Sequence, residues 1–330
     1  MYAFFITQAF TRIFKIFMAR YHLKYSEDKV AGILFGTFIG DAIGAPFEGV
    51  SCDEIPPLDN QYIAGHLPKT YTDDTQMAIS VFEEMSENGV IDSGSLMQRF
   101  LKRFTPWRRY GGGMLDVIEK WRDGEDPDKA ASSLYGGAGS FGDGAAMRAA
   151  PISAFFSIEE IDKMAEQVRR SSLLTHTHPY GIAGAILQAY AVLLALNDVP
   201  IENWLNIFFS SKIDSAFKIT LERIARCLDR QATPQESARE IGNGADALEA
   251  VPAAIYSVMR NKSSFADAVL FAVSMGGDTD TIGAMAGAIS GALAGVGSIP
   301  SDWLTKLENE REGKDFIYQL IQKAPKTDQK

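Results

Sequence analysis

Cysteine is nearly absent: Cys52 and Cys227 are the only two in 330 residues, far apart and in no motif, so neither a disulfide framework nor a zinc cluster is indicated. A reducing cytoplasm suits such a chain. Histidine is scarce too. His22, His66, His176 and His178 form no His-Glu-x-x-His pair, which argues against a zinc hydrolase. Positive charge is in deficit, with 32 Lys and Arg against 42 Asp and Glu, a formal net charge of -10. That balance excludes the broad basic field needed for sequence-independent binding to nucleic acid or anionic lipid. A polyanionic substrate would need cations held locally by carboxylates. There is no good run of alternating β-branched residues, so strands are not expected.

What is present is helical periodicity. Apolar residues recur at helical spacing over 30–38, 75–85, 95–104, 158–171, 181–196, 201–209, 215–228, 245–259, 265–274 and 282–293. The breaks, at 53–68, 110–113, 135–144 and 231–234, are rich in Gly or Pro and too short to be flexible linkers. With 46% hydrophobic residues, one packed core is affordable. The expectation is an all-α, single-domain chain from 28 to 330, preceded by an N-terminal extension, 1–27. The stretch 282–299 carries no charge but is mostly Gly, Ala and Ser, so it reads as a buried helix and not a transmembrane segment. The segment from Met1 to Ala19 is rich in Phe and Ile yet interrupted by Arg12 and Lys15, with no cleavage site after an apolar core. It suits an amphipathic helix that docks on this protein, a partner or a membrane surface, and Met18 offers an alternative start.

Glycine is placed with unusual regularity. Gly32, Gly36, Gly40 and Gly44 recur every four residues, as do Gly283, Gly287, Gly291 and Gly295. Residues i and i+4 share a helix face, so each series is a bare stripe that another backbone can approach. Glycine inside a helix costs about 1 kcal/mol against alanine, so the stripes imply a return in packing, most simply against each other. Asp41 and Glu48 flank the first stripe, and Asp278 and Asp280 precede the second. Packing of the stripes would gather those carboxylates.

Two acidic segments carry the candidate chemistry. Thr72-Asp73-Asp74-Thr75 precedes one helical run, and Asp278-Thr279-Asp280-Thr281 precedes another that begins at Ile282. Helix capping explains either alone, since Asp and Thr favour N-caps and negative charge favours a helix N-terminus. Four carboxylates exceed what two caps need. Their hard oxygens suit Mg²⁺ or Mn²⁺, and neighbouring acids can reach different ions of a close pair. Gly276 and Gly277 leave room for a substrate beside them. The run from Tyr135 to Gly144 is too glycine-rich for a helix; it is either a plain surface loop or a cradle in which N–H groups and Ser140 hold phosphate and an aromatic ring stacks on a base or ribose. It lacks the Lys of a P-loop and the strand of a dinucleotide-binding unit. Thr175-His176-Thr177-His178-Pro179 reads as the cap of the helix after Gly181.

These blocks together resemble the ADP-ribosylhydrolase family, which includes the glycohydrolase that reactivates dinitrogenase reductase. They are more similar to the branch that removes ADP-ribose from serine and cleaves poly(ADP-ribose) and O-acetyl-ADP-ribose. In order along the chain they are Gly40 to Gly44 with Glu48, Tyr71 to Thr75, Tyr110 to Gly113, Gly139 to Arg148, Leu174 to His176 and Gly276 to Gly287. The resemblance implies an orthogonal helical bundle with a binuclear metal site, two Mg²⁺ (or Mn²⁺) in a central cleft. By matching position it implies Thr72, Asp73, Asp74, Asp278, Asp280 and Thr281 as metal ligands. It implies Gly137, Gly139, Ser140, Phe141 and His176 around the diphosphate and distal ribose, and Tyr135 near the adenine. Glu48 matches a glutamate on a flap over the metals and is the expected acid or base, with Asp74 and Asp278 as catalytic carboxylates beside the anomeric carbon.

Two departures from the family pattern matter. Asp143 stands where the family usually has Asn, replacing a donor by a group that, ionised, only accepts and would repel a diphosphate. The acid that the arginine-specific branch uses near 110–113 is missing, which favours serine-type or O-acetyl linkages. The alternatives are an arginine-specific hydrolase of the same fold and an immunity protein that neutralises an ADP-ribosylating toxin through Met1 to Ala19 as well as by hydrolysis.

Overall fold

The computed structural model of the chain, which describes residues 21–66 and 70–326, is built of helices joined by short 3-10 turns. In chain order these are α1 Glu27–Gly44, α2 Asn60–His66, α3 Asp73–Asn88, α4 Ser93–Arg103, α5 Gly112–Arg122, α6 Ile161–Leu173, α7 Pro179–Leu196, α8 Trp204–Ser210, α9 Ser215–Asp229, α10 Pro234–Ile241, α11 Ala247–Arg260, α12 Phe265–Ser274, α13 Thr279–Ala294, α14 Ser301–Lys306 and α15 Lys314–Lys323. Among the described residues there are no strands, only isolated bridges pairing Leu23 with Lys326 and Gly142 with Asp246. Of the expected extension, 1–27, residues 1–20, with the docking segment Met1 to Ala19, lie outside the described residues. Tyr21 to Ser26 are described and pack on the domain: Leu23 is buried, and Tyr25 donates to the Phe156 carbonyl at 2.9 Å.

The glycine stripes decide the architecture. A Cβ on Gly32 would overlap the Gly291 carbonyl, one on Gly36 that of Gly287, one on Gly40 that of Gly283, and one on Gly44 that of Thr279. The paired numbers rise on one helix as they fall on the other, so α1 and α13 are antiparallel and locked in register, backbone against backbone. Thr279 Oγ1 fastens the far end by donating to the Gly44 carbonyl at 2.8 Å. The pair is the centre of the fold, with α13 also packed on α12, α11, α7 and α3 and with α3, α12 and α15 against α1. Helices α1 and α7 are long and apolar enough to cross a membrane, but both are mostly buried inside the protein.

Several expected breaks are helix starts. The 231–234 break ends in a capping box, Thr233 with Glu236, and Pro234 opens α10, where its missing N–H costs nothing. The 110–113 break holds Gly111, the N-cap of α5. Helix α13 starts at Thr279, three residues before the expected Ile282, so the second acidic segment forms its first turn.

Candidate active site

The lock between α1 and α13 brings the C-terminal end of one to the N-terminal end of the other, and α3 begins beside them. Thr72 caps α3, its hydroxyl accepting from the Asp74 N–H at 3.4 Å and donating to Asp74 Oδ2 at 3.1 Å. Beneath it Asp41, fully buried on α1, accepts from the Thr72 N–H at 2.9 and 3.0 Å, the Thr75 N–H at 3.1 Å and the Thr75 hydroxyl at 2.6 Å. One carboxylate thus braces the whole turn and fixes where Asp73 and Asp74 point. Asp41 had drawn attention only as a flank of the glycine stripe; its bracing role needs the fold.

The second segment is hung from backbone. The Asp278 N–H donates to the Asn243 carbonyl at 2.8 Å, Gly277 N–H to Val50 O at 2.9 Å, and Gly49 N–H to Gly277 O at 2.8 Å. Gly276 and Gly277 have φ of 72 and 74°, and a Cβ on either would strike Cys52 or Asn243. Asp278 occupies the N-cap position but its side chain caps nothing. The Thr281 N–H instead takes Asp280 Oδ1 at 3.1 Å.

One cleft is lined by the acidic Glu48, Asp73, Asp74, Asp143, Asp278 and Asp280 with Thr281, and also by Tyr135, Ser140 and His176. Burial pushes Asp73 up to about 8, helped by the charge of Asp41, and Asp280 up to about 9, helped by Asp278. Asp74 is raised well above the carboxylate range by burial and by Asp41 and Asp280. Burial lifts Asp41 less, to about 6, because its hydrogen bonds oppose the shift. Asp74 Oδ1 is buried with no hydrogen-bond partner among the described residues. Hard oxygen donors crowded together, unpaired and reluctant to ionise, fit a divalent cation. No group of three His, Cys, Asp or Glu side chains among the described residues converges tightly enough to hold an ion as it stands.

Asp143 lines the same cleft. It is buried, and desolvation raises it well above the carboxylate range, followed by the charge of Asp278 and a hydrogen bond with it. Its Oδ2 has no hydrogen-bond partner among the described residues, and in the protonated form the group can donate, as an amide would. Within the Thr175 to Pro179 segment, which caps the helix as expected, His178 is the capping residue of α7, its Nδ1 accepting from the Tyr180 N–H at 3.1 Å. His176 stays in the cleft wall. Gly139 (φ 75°) lets the loop touch Thr177 and His178, where a Cβ would overlap both, while Gly137 (φ 92°) has open space around it. Tyr135, at φ 53°, and Phe141 are exposed, and Phe141 meets the His178 ring edge-on. Thr72, Gly137, Gly139 and Phe141 do not line the cleft directly.

Two arginines in the cleft wall carry no assigned role in the sequence reading, although Arg148 closes the Gly139 to Arg148 block. Arg109, at φ 63°, donates to the Ala45 carbonyl at 2.5 Å and to Glu48 Oε2 at 3.0 Å. Arg148 is wholly buried, its guanidinium donating to Gly144 O, Ser171 O and Thr175 Oγ1. Contacts across tens of residues define what both do.

With this geometry in view, comparison with protein families matches residues 23–330 to the ADP-ribosylglycohydrolase family. The chain belongs to that family. It is 33% identical to the ADP-ribosylhydrolase ARH3 of Xenopus tropicalis, covering 88% of this chain and 94% of the relative, and 31% identical to human ARH3, covering 91% and 94%. The ADP-ribosylarginine hydrolase Tri1 of Serratia proteamaculans is 28% identical, covering 92% and 81%. Among solved structures, an ADP-ribosylglycohydrolase-related protein superposes with a TM-score of 0.72 at 26% identity, over 91% of this chain and 98% of the other. Membership makes the chain a hydrolase of ADP-ribosyl linkages with the family's all-α fold, on the ARH3 side of it.

Proposed function

We propose that the chain is a divalent-metal-dependent ADP-ribosylhydrolase directed at serine-linked or O-acetyl linkages. The observation that carries this reading is the convergence of Asp73, Asp74, Asp278 and Asp280 on one cleft at the end of the glycine lock, with Asp74 Oδ1 unpartnered. Thr72, Asp73, Asp74, Asp278, Asp280 and Thr281 would hold two Mg²⁺ (or Mn²⁺), which when bound supply the charge that offsets these carboxylates and orients the distal ribose and a water. The remaining chemistry belongs to the chain. Glu48 has Oε2 tied to Arg109 and Oε1 without a protein hydrogen bond among the described residues, leaving Oε1 to manage the water or leaving-group proton. Asp74 and Asp278 stand by to stabilise positive charge at the anomeric carbon. The glycine loop with Ser140 and His176 takes the diphosphate side, and Tyr135, with Phe141 beyond it, offers a ring to the base.

Linkage preference follows from the wall at 109–113. It carries three glycines and the Arg109 guanidinium, and no acid. An arginine-linked substrate would bring a second guanidinium there, whereas a serine or acetyl ester leaving group is neutral. Likeness to Tri1 supplies the alternative of an arginine linkage. Serine-linked, arginine-linked and O-acetyl substrates, each offered with and without Mg²⁺, separate these readings. Turnover of the first or third that chelator abolishes is the expected result; arginine-linked release as the fastest reaction would overturn the preference, and full turnover in chelator would overturn the metal dependence.

A further inference from the structure

A guanidinium with no carboxylate within salt-bridge distance among the described residues is an expensive thing to bury. Arg148 is 0% exposed, and its Nε has no partner. Its remaining donors make a short chain. Nη1 donates to Gly144 O at 2.5 Å, and Nη2 to Ser171 O at 2.9 Å and to Thr175 Oγ1 at 2.7 Å. Thr175 Oγ1 in turn lies 2.7 Å from His176 Nδ1. A hydroxyl has one proton to give. With Arg148 donating into the oxygen, and no other acceptor for the hydroxyl among the described residues, that proton goes to Nδ1. Nδ1 is then an acceptor, and the ring's own proton must sit on Nε2.

The rest of the ring's surroundings agree. Nε2 turns toward the glycine loop: Cβ atoms built on Gly144 and Gly142 would lie 3.2 and 3.7 Å from it, so both glycines make room for the imidazole. Nε2 meets no protein acceptor among the described residues, yet the ring lines the cleft. Burial and the neighbouring Arg148 charge lower His176 to about 3, so the ring is neutral at any physiological pH.

We propose that Arg148 and Thr175 are positioning residues that fix His176 in the neutral Nε2–H tautomer, aiming one oriented donor at an oxygen of bound ADP-ribose. The relay stands on the geometry; its ligand rests on the ADP-ribose reading of the cleft. The decisive measurement is long-range proton–nitrogen NMR on imidazole-labelled, ligand-free protein, with Thr175→Val and Thr175→Ser beside wild type and ADP-ribose affinity by calorimetry. Wild type and Thr175→Ser should show protonated Nε2 and bare Nδ1, while Thr175→Val shows mixed tautomers. Affinity should fall about tenfold in Thr175→Val and His176→Ala, the worth of one hydrogen bond, and recover in Thr175→Ser. An Nδ1–H tautomer in wild type, or an unchanged spectrum in Thr175→Val, would overturn the relay. The expected spectrum in a wild type that does not bind ADP-ribose would instead overturn the ligand, and with it the reading of the cleft.

Discussion

The two acidic segments look alike in sequence, and the fold treats them differently. At Thr72-Asp73-Asp74 the threonine is a working helix cap and Asp41 braces the turn through four hydrogen bonds to its backbone and to the Thr75 hydroxyl. At Asp278-Thr279-Asp280 the carboxylate in the cap position bonds to no helix N–H, and the segment is held by its backbone and by Thr279 on Gly44. Capping therefore explains part of the first segment and none of Asp278. A carboxylate at a helix N-terminus that does not cap, half-buried beside other acids, is free to serve a group outside the protein.

What joins the segments is the glycine lock, and breaking it should have the largest effect. Valine at Gly40 would drive its side chain into the Gly283 carbonyl, with backbone on both sides and nowhere to yield. Gly40→Val should lose more than about 4 kcal/mol and fail to give a cooperative thermal transition, as followed by circular dichroism. A variant that melts like wild type would mean the helices can separate without cost.

The next effect separates the segments from each other. Asp278→Ala should lower turnover on the order of 10²–10³-fold while leaving thermal stability unchanged or raised, since it removes a charge and no cap. Thr72→Ala should show the converse emphasis, with about 1 kcal/mol of stability lost along with its cap. Equal stability losses in the two, measured by denaturant titration, would erase the distinction.

Metal and pH sharpen the comparison further. Asp41, Asp73 and Asp280 have folded-state values raised to about 6, 8 and 9, above the roughly 3.9 of an unfolded aspartate. Each raised group contributes stability that is complete below about pH 4 and is lost as pH climbs through its folded-state value. The metal-free protein should therefore lose stability between about pH 4 and 9, and Mg²⁺ should restore about 2.7 kcal/mol at a hundredfold excess over its Kd near pH 8. A melting temperature flat with pH, or indifferent to Mg²⁺, would remove the case for a cation among these acids.

Much of this was legible in the sequence. The period-four glycines predict the α1–α13 contact because a bare stripe has only one economical use, and the acids at their ends follow from it. The glycine run from Tyr135 to Gly144 reads as a loop or a cradle on its own residues, and the family resemblance adds His176 beside it. Reading failed where meaning depends on distant contacts. Arg148 and Asp41 are ordinary residues until Thr175 and Thr72 arrive beside them from 27 and 31 positions away. Asp143 could not be assigned a charge, because burial and Asp278 decide it. The break at 231–234 closes on Thr233-Pro234, where a capping box with Glu236 starts a helix.

The smallest effect concerns the turn that bridges the two segments. Glu48 sits on the stretch pinned to the Asp278 loop through Gly49 and Val50, and Arg109 holds its side chain by an ion pair. Both partners are well exposed, so the ion pair is worth at most about 1 kcal/mol. Arg109 also occupies φ 63°, a conformation that costs a non-glycine residue about 1 kcal/mol or more and glycine nothing. In Arg109→Gly these terms oppose, so stability should stay within about 0.5 kcal/mol of wild type. Function should not stay put: Glu48 loses its tether and the wall loses its cation, so kcat on serine-linked substrate should fall several-fold while arginine-linked substrate gains relative to it. Competition between the two substrates in one reaction measures that ratio. A ratio unmoved by the substitution would mean that Arg109 neither aims Glu48 nor screens the leaving group.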